Sequence, residues 1–209
     1  MIALILTVLA VFAVLMMSEV GWRRGVMTNE IGRKFVHITV GSFVAFWPLY
    51  LSWNQIRLLS LAFIAVTILS RFFHVFQAIH SVQRPTYGEF FFAVTVGLLT
   101  YITQSKAIYA ASLLQMSLAD GMAAVLGVEY GLKHARYHIL GHIKTVVGTA
   151  TFFVVSLAIL LGYGADATNL PLDVSFALAA AATLLENIGV AGLDNLLVPL
   201  VIALVLNHL

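Results

Sequence analysis

The chain contains no cysteine, which excludes disulfides, thiolate metal sites and a cysteine nucleophile and leaves the redox compartment undetermined. Charge is nearly as scarce. Only 11 basic and 9 acidic residues occur in 209, against a hydrophobic share of 61% and a mean hydropathy of +1.00. An ordinary soluble domain is excluded by that composition. The net charge of +2 points to no nucleic-acid partner. There is no convincing internal repeat and no low-complexity linker. The apolar stretch at residues 2–20 has neither a basic leader nor a small-residue cleavage pattern, so it reads as a first membrane helix, not a removable signal.

What is present is a series of apolar runs. A membrane-spanning helix needs about 20 mainly apolar residues. The runs predict spans at 2–20, 35–52, 56–77, 89–104, 107–130, 145–163, 174–189 and 194–208. The expected fold is all-α: one polytopic membrane domain over residues 1–209 with seven or eight transmembrane helices. The count stays open because Gly189 and Gly192 interrupt the last two, which could form a broken hairpin. Basic residues concentrate in the first connection (Arg23, Arg24, Arg33, Lys34), the third (Arg84) and the fifth (Lys133, Arg136, Lys144). By the positive-inside rule these connections are cytoplasmic; with eight spans the link around Asp194 also falls inside, and all the charge clusters then reach one leaflet.

Ionisable groups in membrane helices are costly, so each is a functional suspect. Glu30, Arg33, Lys34 and His37 share one helical face at spacing i, i+3, i+4, i+7. Two cations, a carboxylate and an imidazole suit a polyphosphate. A snorkelling basic rim with a Glu30–Lys34 pair accounts for the cations equally well. His37, one turn into an apolar helix, tips the balance toward function. Arg84-Pro85-Thr86-Tyr87-Gly88-Glu89 reads as a turn entering a helix, in which capping explains Thr86 and Glu89 but not Arg84 or Gly88.

Asp120 lies inside a long apolar span and needs a cation, a metal or a donor network. The small residues Gly121, Ala124, Gly127 and Gly131 admit a neighbouring backbone or a ligand, and helix packing is the preferred reading for Gly127 and Gly131. Lys144-Thr145-Val146-Val147-Gly148-Thr149 opens a span after a basic, histidine-rich loop. It could cradle phosphate at a helix N-terminus, although the Walker A order is absent. His134, His138 and His142 recur at i, i+4, i+8 and read as a solvated helical face in preference to a zinc site. Glu186 and Asp194-Asn195 offer hard oxygen ligands for magnesium, or else form a polar hairpin at the membrane surface.

In order, these clusters resemble the polyprenol kinase family, which includes dolichol, phytol and farnesol kinases and a CTP-dependent diacylglycerol kinase, and is related to phosphatidate cytidylyltransferase. The resemblance rests on Glu30-x-x-Arg33-Lys34-x-x-His37, Arg84-x-Thr86-Tyr87-Gly88-Glu89, Ala119-Asp120-Gly121-x-Ala123-x-x-x-Gly127-x-x-x-Gly131, Lys144-Thr145-x-x-Gly148-Thr149 and Glu186 through Asp194-Asn195 to Pro199. It implies transfer of the γ-phosphate of a nucleotide, typically CTP, to the hydroxyl of a membrane lipid alcohol. The Arg84–Glu89 motif is most similar to the phytol kinase branch, which favours an isoprenoid acceptor. Many relatives carry an acidic residue just before Gly148, where this chain has Val147; Glu89 or Glu186 would supply that ligand here. The Lys-Asp and His-Gly-Gly elements of the cytidylyltransferase signature are absent.

The roles implied are these. Asp120, with Glu186 or Asp194, holds Mg2+ on the triphosphate, and Arg33, Lys34, Arg84 and Lys144 neutralise developing charge, with Gly121 and Gly148 giving the phosphates room. Asn195 and Glu89 orient the nucleotide or the metal. His37 or Asp120 accepts the alcohol proton, and the sequence does not choose between them. The lipid chain runs against Phe90–Phe92 or the Phe43–Trp47 surface. Two rivals remain: a phosphatidate cytidylyltransferase using the same apparatus, and a small transporter, which repeat symmetry would favour. A homo-oligomer is left open by the sequence.

Overall fold

The computed structural model describes residues 2–25, 29–73, 87–131, 135–165 and 170–209, and of residues 29–31 and 71 the backbone alone. Among the described residues the chain forms eight helices and one β-hairpin. The helices are α1 (Ile2–Arg23), α2 (Asn29–Ala45), α3 (Trp53–Phe73), α4 (Gly88–Ile102), α5 (Lys106–Gly131), α6 (Val146–Tyr163), α7 (Leu172–Ile188) and α8 (Asp194–His208). Each of the eight apolar runs therefore contains a helix among the described residues. Four of them, α1, α3, α5 and α6, are long and apolar enough to cross a membrane; α4 and α8 are apolar but shorter.

Helix starts follow local chemistry. The Ser105 hydroxyl accepts from the Ile108 amide and caps α5, and the Thr145 hydroxyl accepts from the Gly148 amide at 3.0 Å and caps α6. Each cap satisfies a donor that the first turn leaves without an intrahelical partner. The core contains Val44, Trp47, Ile56, Leu99, Leu113, Met116, Leu160 and Ile202. The outer faces carry many exposed large apolar side chains, among them Leu6, Leu61, Phe72 and Leu184. Such a surface is tolerated against lipid and not in water. This is a membrane protein.

Two features depart from the sequence reading. The segment expected as a basic loop, with its histidines on a helical face, is an antiparallel hairpin of β1 (Arg136–Ile139) and β2 (His142–Thr145). His138 faces Ile143 and Ile139 faces His142 across it; His134 lies outside the described residues. The physical reason is a period-two alternation in Tyr137-His138-Ile139 and Ile143-Lys144-Thr145. The intervening Leu140 and Gly141 both have positive φ, 46° and 79°, as a tight hairpin turn requires. The second departure lies inside α5, which is α-helical at Lys106–Leu114 and Asp120–Leu126 but widens to π-helix at Gln115–Ala119 and Gly127–Gly131.

Close helix crossings depend on small residues. A Cβ on Gly41 would lie 2.3 Å from the Ser117 Cβ, and one on Gly121 would lie 2.2 Å from Ile38 Cγ1. These contacts set α2 against the middle of α5. Gly127 and Gly131 press on Thr145, and a Cβ on Gly127 would also lie 3.3 Å from the Gly148 Cα. That crossing joins α5 to the start of α6 by the small-residue packing common among membrane helices.

Candidate active site

Lys34, His37, Ile38 and Gly41 fall on one face of α2, and the Gly41 and Gly121 crossings hold that face against α5. The Lys34 Nζ donates to Asp120 Oδ2 at 2.8 Å. His37 Nε2 lies 2.8 Å from the Met116 carbonyl oxygen and 3.4 Å from Asp120 Oδ2. A carbonyl only accepts, so Nε2 carries the proton, and neutral His37 has its lone pair on Nδ1. The π-turn makes this possible. The Asp120 amide, which in a regular α-helix bonds to Met116 O, bonds instead to Gln115 O and Ser117 O. Met116 O thereby loses its usual donor and accepts from His37. Single π-turns inside α-helices occur frequently at functional sites.

The hairpin builds the second part. Tyr137 and Lys144 are cross-strand partners, so they project from the same face of the ribbon. Their targets are consecutive residues at the end of α7. The Lys144 ammonium pairs with the Glu186 carboxylate and also donates to the Glu186 carbonyl at 3.1 Å. The Tyr137 hydroxyl donates to Asn187 Oδ1 at 2.5 Å and lies 2.5 Å from Thr149 Oγ1. Tyr137 and Asn187 were not singled out from the sequence. The one available signal was an amide beside Glu186 in an apolar helix.

The third part is the turn between α7 and α8. Ala191 and Gly192 adopt φ of 56° and 91°, which reverses the chain within a few residues. At Gly189 an added Cβ would lie 2.6 Å from the Asp194 Cβ and 3.0 Å from its amide nitrogen. Gly189 therefore lets Asp194 fold back beside Glu186. The turn docks on the start of α4: the Tyr87 amide donates to Ala191 O at 3.0 Å, and Asn195 Nδ2 donates to Gly88 O at 3.1 Å.

Electrostatics joins the three parts. The charges of Lys144, Asp120 and Asp194 all act on Glu186, and those of Asp120, Lys34 and Lys144 act on Asp194. Asp120, Lys34, His37, Lys144, Glu186 and Asp194 thus form one neighbourhood drawn from α2, α5, the hairpin, α7 and α8. Asn195, Arg33 and Glu89 line a small cavity of about 90 Å³ that His37 also borders. Gly121 and Gly148 sit at the helix crossings that assemble it. Arg84 and the Glu30 side chain lie outside the described residues.

The donor set can be weighed against a divalent cation. Among the described residues no three acidic or histidine side chains are close enough to cage a metal alone. Asp120 and Glu186 are each paired with a lysine, whereas Asp194 has no ion pair among the described residues. Magnesium binds through one or two carboxylates together with substrate phosphates. The residues present fit a magnesium shared with a polyphosphate.

Comparison with known proteins then gives a specific match. The chain is 33% identical to a phytol kinase of Synechocystis sp. (strain ATCC 27184 / PCC 6803 / Kazusa) over 202 residues, covering 92% of this chain and 85% of that one. The chain belongs to the phytol and polyprenol kinase family. It is accordingly a phosphotransferase acting on an alcohol. No family model matches the chain, and no solved structure matches it. The pairing of Lys34 with Asp120 and of Lys144 with Glu186 brings two ion pairs into one neighbourhood.

Proposed function

We propose that the protein transfers the γ-phosphoryl group of a nucleoside triphosphate, CTP by family resemblance, to the hydroxyl of a membrane isoprenoid alcohol of the phytol or polyprenol class. The observation that carries this reading is the single charged neighbourhood around Asp120, in a chain 33% identical to a phytol kinase.

Phosphoryl transfer needs mainly positioning and charge stabilisation. The alcohol oxygen forms a bond to the γ-phosphorus, the bond from that phosphorus to the β–γ bridging oxygen breaks, and the nucleoside diphosphate leaves. The hydroxyl proton passes to His37 Nδ1. The tautomer held by Met116 O supports His37 in that role over Asp120, whose Oδ2 is engaged by Lys34. Lys34 and Lys144, with Arg33 and Arg84, neutralise charge on the transferring and leaving oxygens. Their carboxylate partners keep them in place until the phosphates arrive.

Asp120, Glu186 and Asp194 would hold magnesium jointly with the triphosphate, with Glu89 nearby, and the metal would neutralise phosphate charge. The proposed topology is eight crossings with the site at the cytoplasmic face. The hairpin meets the end of α7 and the α7–α8 turn meets the start of α4, and the basic residues of the odd-numbered connections favour that side.

The test is transfer from CTP labelled separately at the α and γ phosphates, using the purified protein in liposomes containing a prenyl alcohol, a diacylglycerol or phosphatidic acid. γ-Label in the prenyl alcohol is expected. α-Label in phosphatidic acid would mark a cytidylyltransferase, and γ-label in diacylglycerol alone a different lipid kinase.

A further inference from the structure

The cavity of about 90 Å³ beside His37 is enclosed by α1, α2, α3, α4 and the first turn of α8. Its two ends differ in chemistry. One end is polar and holds His37, Asn195, Arg33 and Glu89. The rest is walled mainly by apolar side chains, among them Val40, Phe63, Val66 and Phe92, with the Thr67 and Ser70 hydroxyls turned back onto the carbonyls of their own helix; Val66, at 45% exposure, faces outward on α3 toward lipid. The polar end touches the charged neighbourhood through His37, and the apolar end leads away from it along α3.

At the polar end a buried acceptor has no hydrogen-bond partner among the described residues. Asn195 is buried at 6% exposure, and its Nδ2 is committed to Gly88 O, which fixes the amide orientation. Its Oδ1 is buried and accepts no hydrogen bond among the described residues. A buried acceptor without a donor carries an uncompensated desolvation cost, so a ligand that supplies one hydroxyl is favoured there. His37, which keeps its lone pair on Nδ1, lines the same cavity. Both acceptors suit an alcohol, whose single O–H can turn from one to the other.

We infer that this cavity is the acceptor site, which receives the hydroxyl end of a single-chain, ester-free lipid alcohol. Asn195 Oδ1 accepts the hydroxyl hydrogen on binding, and His37 takes the proton on transfer. The first carbons lie between Val40, Phe63 and Phe92, and the chain leaves past Val66 into the bilayer. This rests on the kinase reading above and adds where the acceptor sits and why it is selected. Size and polarity set the selection. A dry cavity of about 150 Å³ holds one benzene, so this one admits a hydroxymethyl group and the first few carbons, not a glycerol with two acyl arms. Ester carbonyls would also meet mainly apolar walls, on which the Thr67 and Ser70 hydroxyls already donate to the Ile64 and Thr67 carbonyls, at a desolvation cost.

The experiment uses the full-length protein in liposomes, without nucleotide, and a prenyl alcohol carrying a diazirine near its hydroxyl end. After photolysis, label is expected on the segments of α2 and α3 that contain Val40 and Phe63. Excess unlabelled prenyl alcohol should reduce it by about tenfold or more, and an equal excess of diacylglycerol should not. Val66→Trp, at the exposed mouth, should reduce it similarly without disturbing buried packing; Val40→Phe fills the cavity from within. Label spread over the outer faces of α1 and α3, or indifferent to the competing alcohol, overturns the inference. Efficient γ-phosphate transfer with label elsewhere defeats the acceptor site alone. Competed label in the cavity without any phosphate transfer defeats the kinase reading and leaves the site standing.

Discussion

The Lys34 ammonium and the Asp120 carboxylate, 86 positions apart in the chain, meet at 2.8 Å inside the helix bundle, both almost fully buried. Removing one partner of a buried pair leaves an uncompensated charge and costs about 3–5 kcal/mol, whereas replacing both with apolar groups is often neutral. Lys34→Met should therefore lower the unfolding temperature in detergent markedly, and the double variant Lys34→Met with Asp120→Leu should recover most of the loss. Recovery of stability without recovery of activity is the expected pattern. Activity in the double variant would show the pair to be structural.

With His37 as the proposed proton acceptor, His37→Gln should lower kcat by ~10²–10⁴-fold and leave the KM for nucleotide unchanged. Steady-state kinetics with each substrate varied in turn checks this. A rise in nucleotide KM with intact kcat would move His37 from proton transfer to phosphate binding.

Tyr137 pins the hairpin, and with it Lys144, to α7 through Asn187 and to α6 through Thr149. Tyr137→Phe removes a hydroxyl and leaves its partners buried, at a cost of about 1–3 kcal/mol. The nucleotide KM should rise by roughly fivefold, with the helical content unchanged by circular dichroism. An unchanged KM would mean that the hairpin does not position Lys144.

Gly189 permits the approach of Asp194, and an added side chain would strike the Asp194 backbone. Gly189→Val should displace Asp194, and misplacing a group by about 1 Å costs on the order of 10²-fold in rate. The magnesium concentration for half-maximal activity should rise as well. A Gly189→Val enzyme with an unchanged magnesium response would remove Asp194 from the metal.

The helices were legible because each apolar run is long and bounded by charge or glycine. The scarcity of ionisable residues marked the site: with so few charges, those inside apolar runs stood out. Lys34, His37, Asp120, Lys144, Glu186 and Asp194 were all named from that contrast, and the structure brings them together. The hairpin was not legible. Its strands are four residues long each, and the basic, histidine-rich composition masked a period of two. The π-turn before Asp120 leaves no signature in residue type, because it arises from backbone geometry at the crossing with α2. Tyr137 and Asn187 stayed hidden because a tyrosine and an amide carry no charge to betray them. Gly121 and Gly148 were singled out as room for phosphate, and the structure places both at close helix crossings.

The measurement closest to the central claim is the rate of γ-phosphate transfer from CTP to a prenyl alcohol by Asp120→Asn protein in liposomes. The substitution keeps size and shape but removes the charge that joins Lys34, Glu186 and Asp194 into one site. A loss of at least about 10²-fold, with unaltered photolabelling of the cavity and intact helical content, is expected. Transfer at the rate of the unsubstituted protein would contradict a single phosphoryl-transfer centre at Asp120.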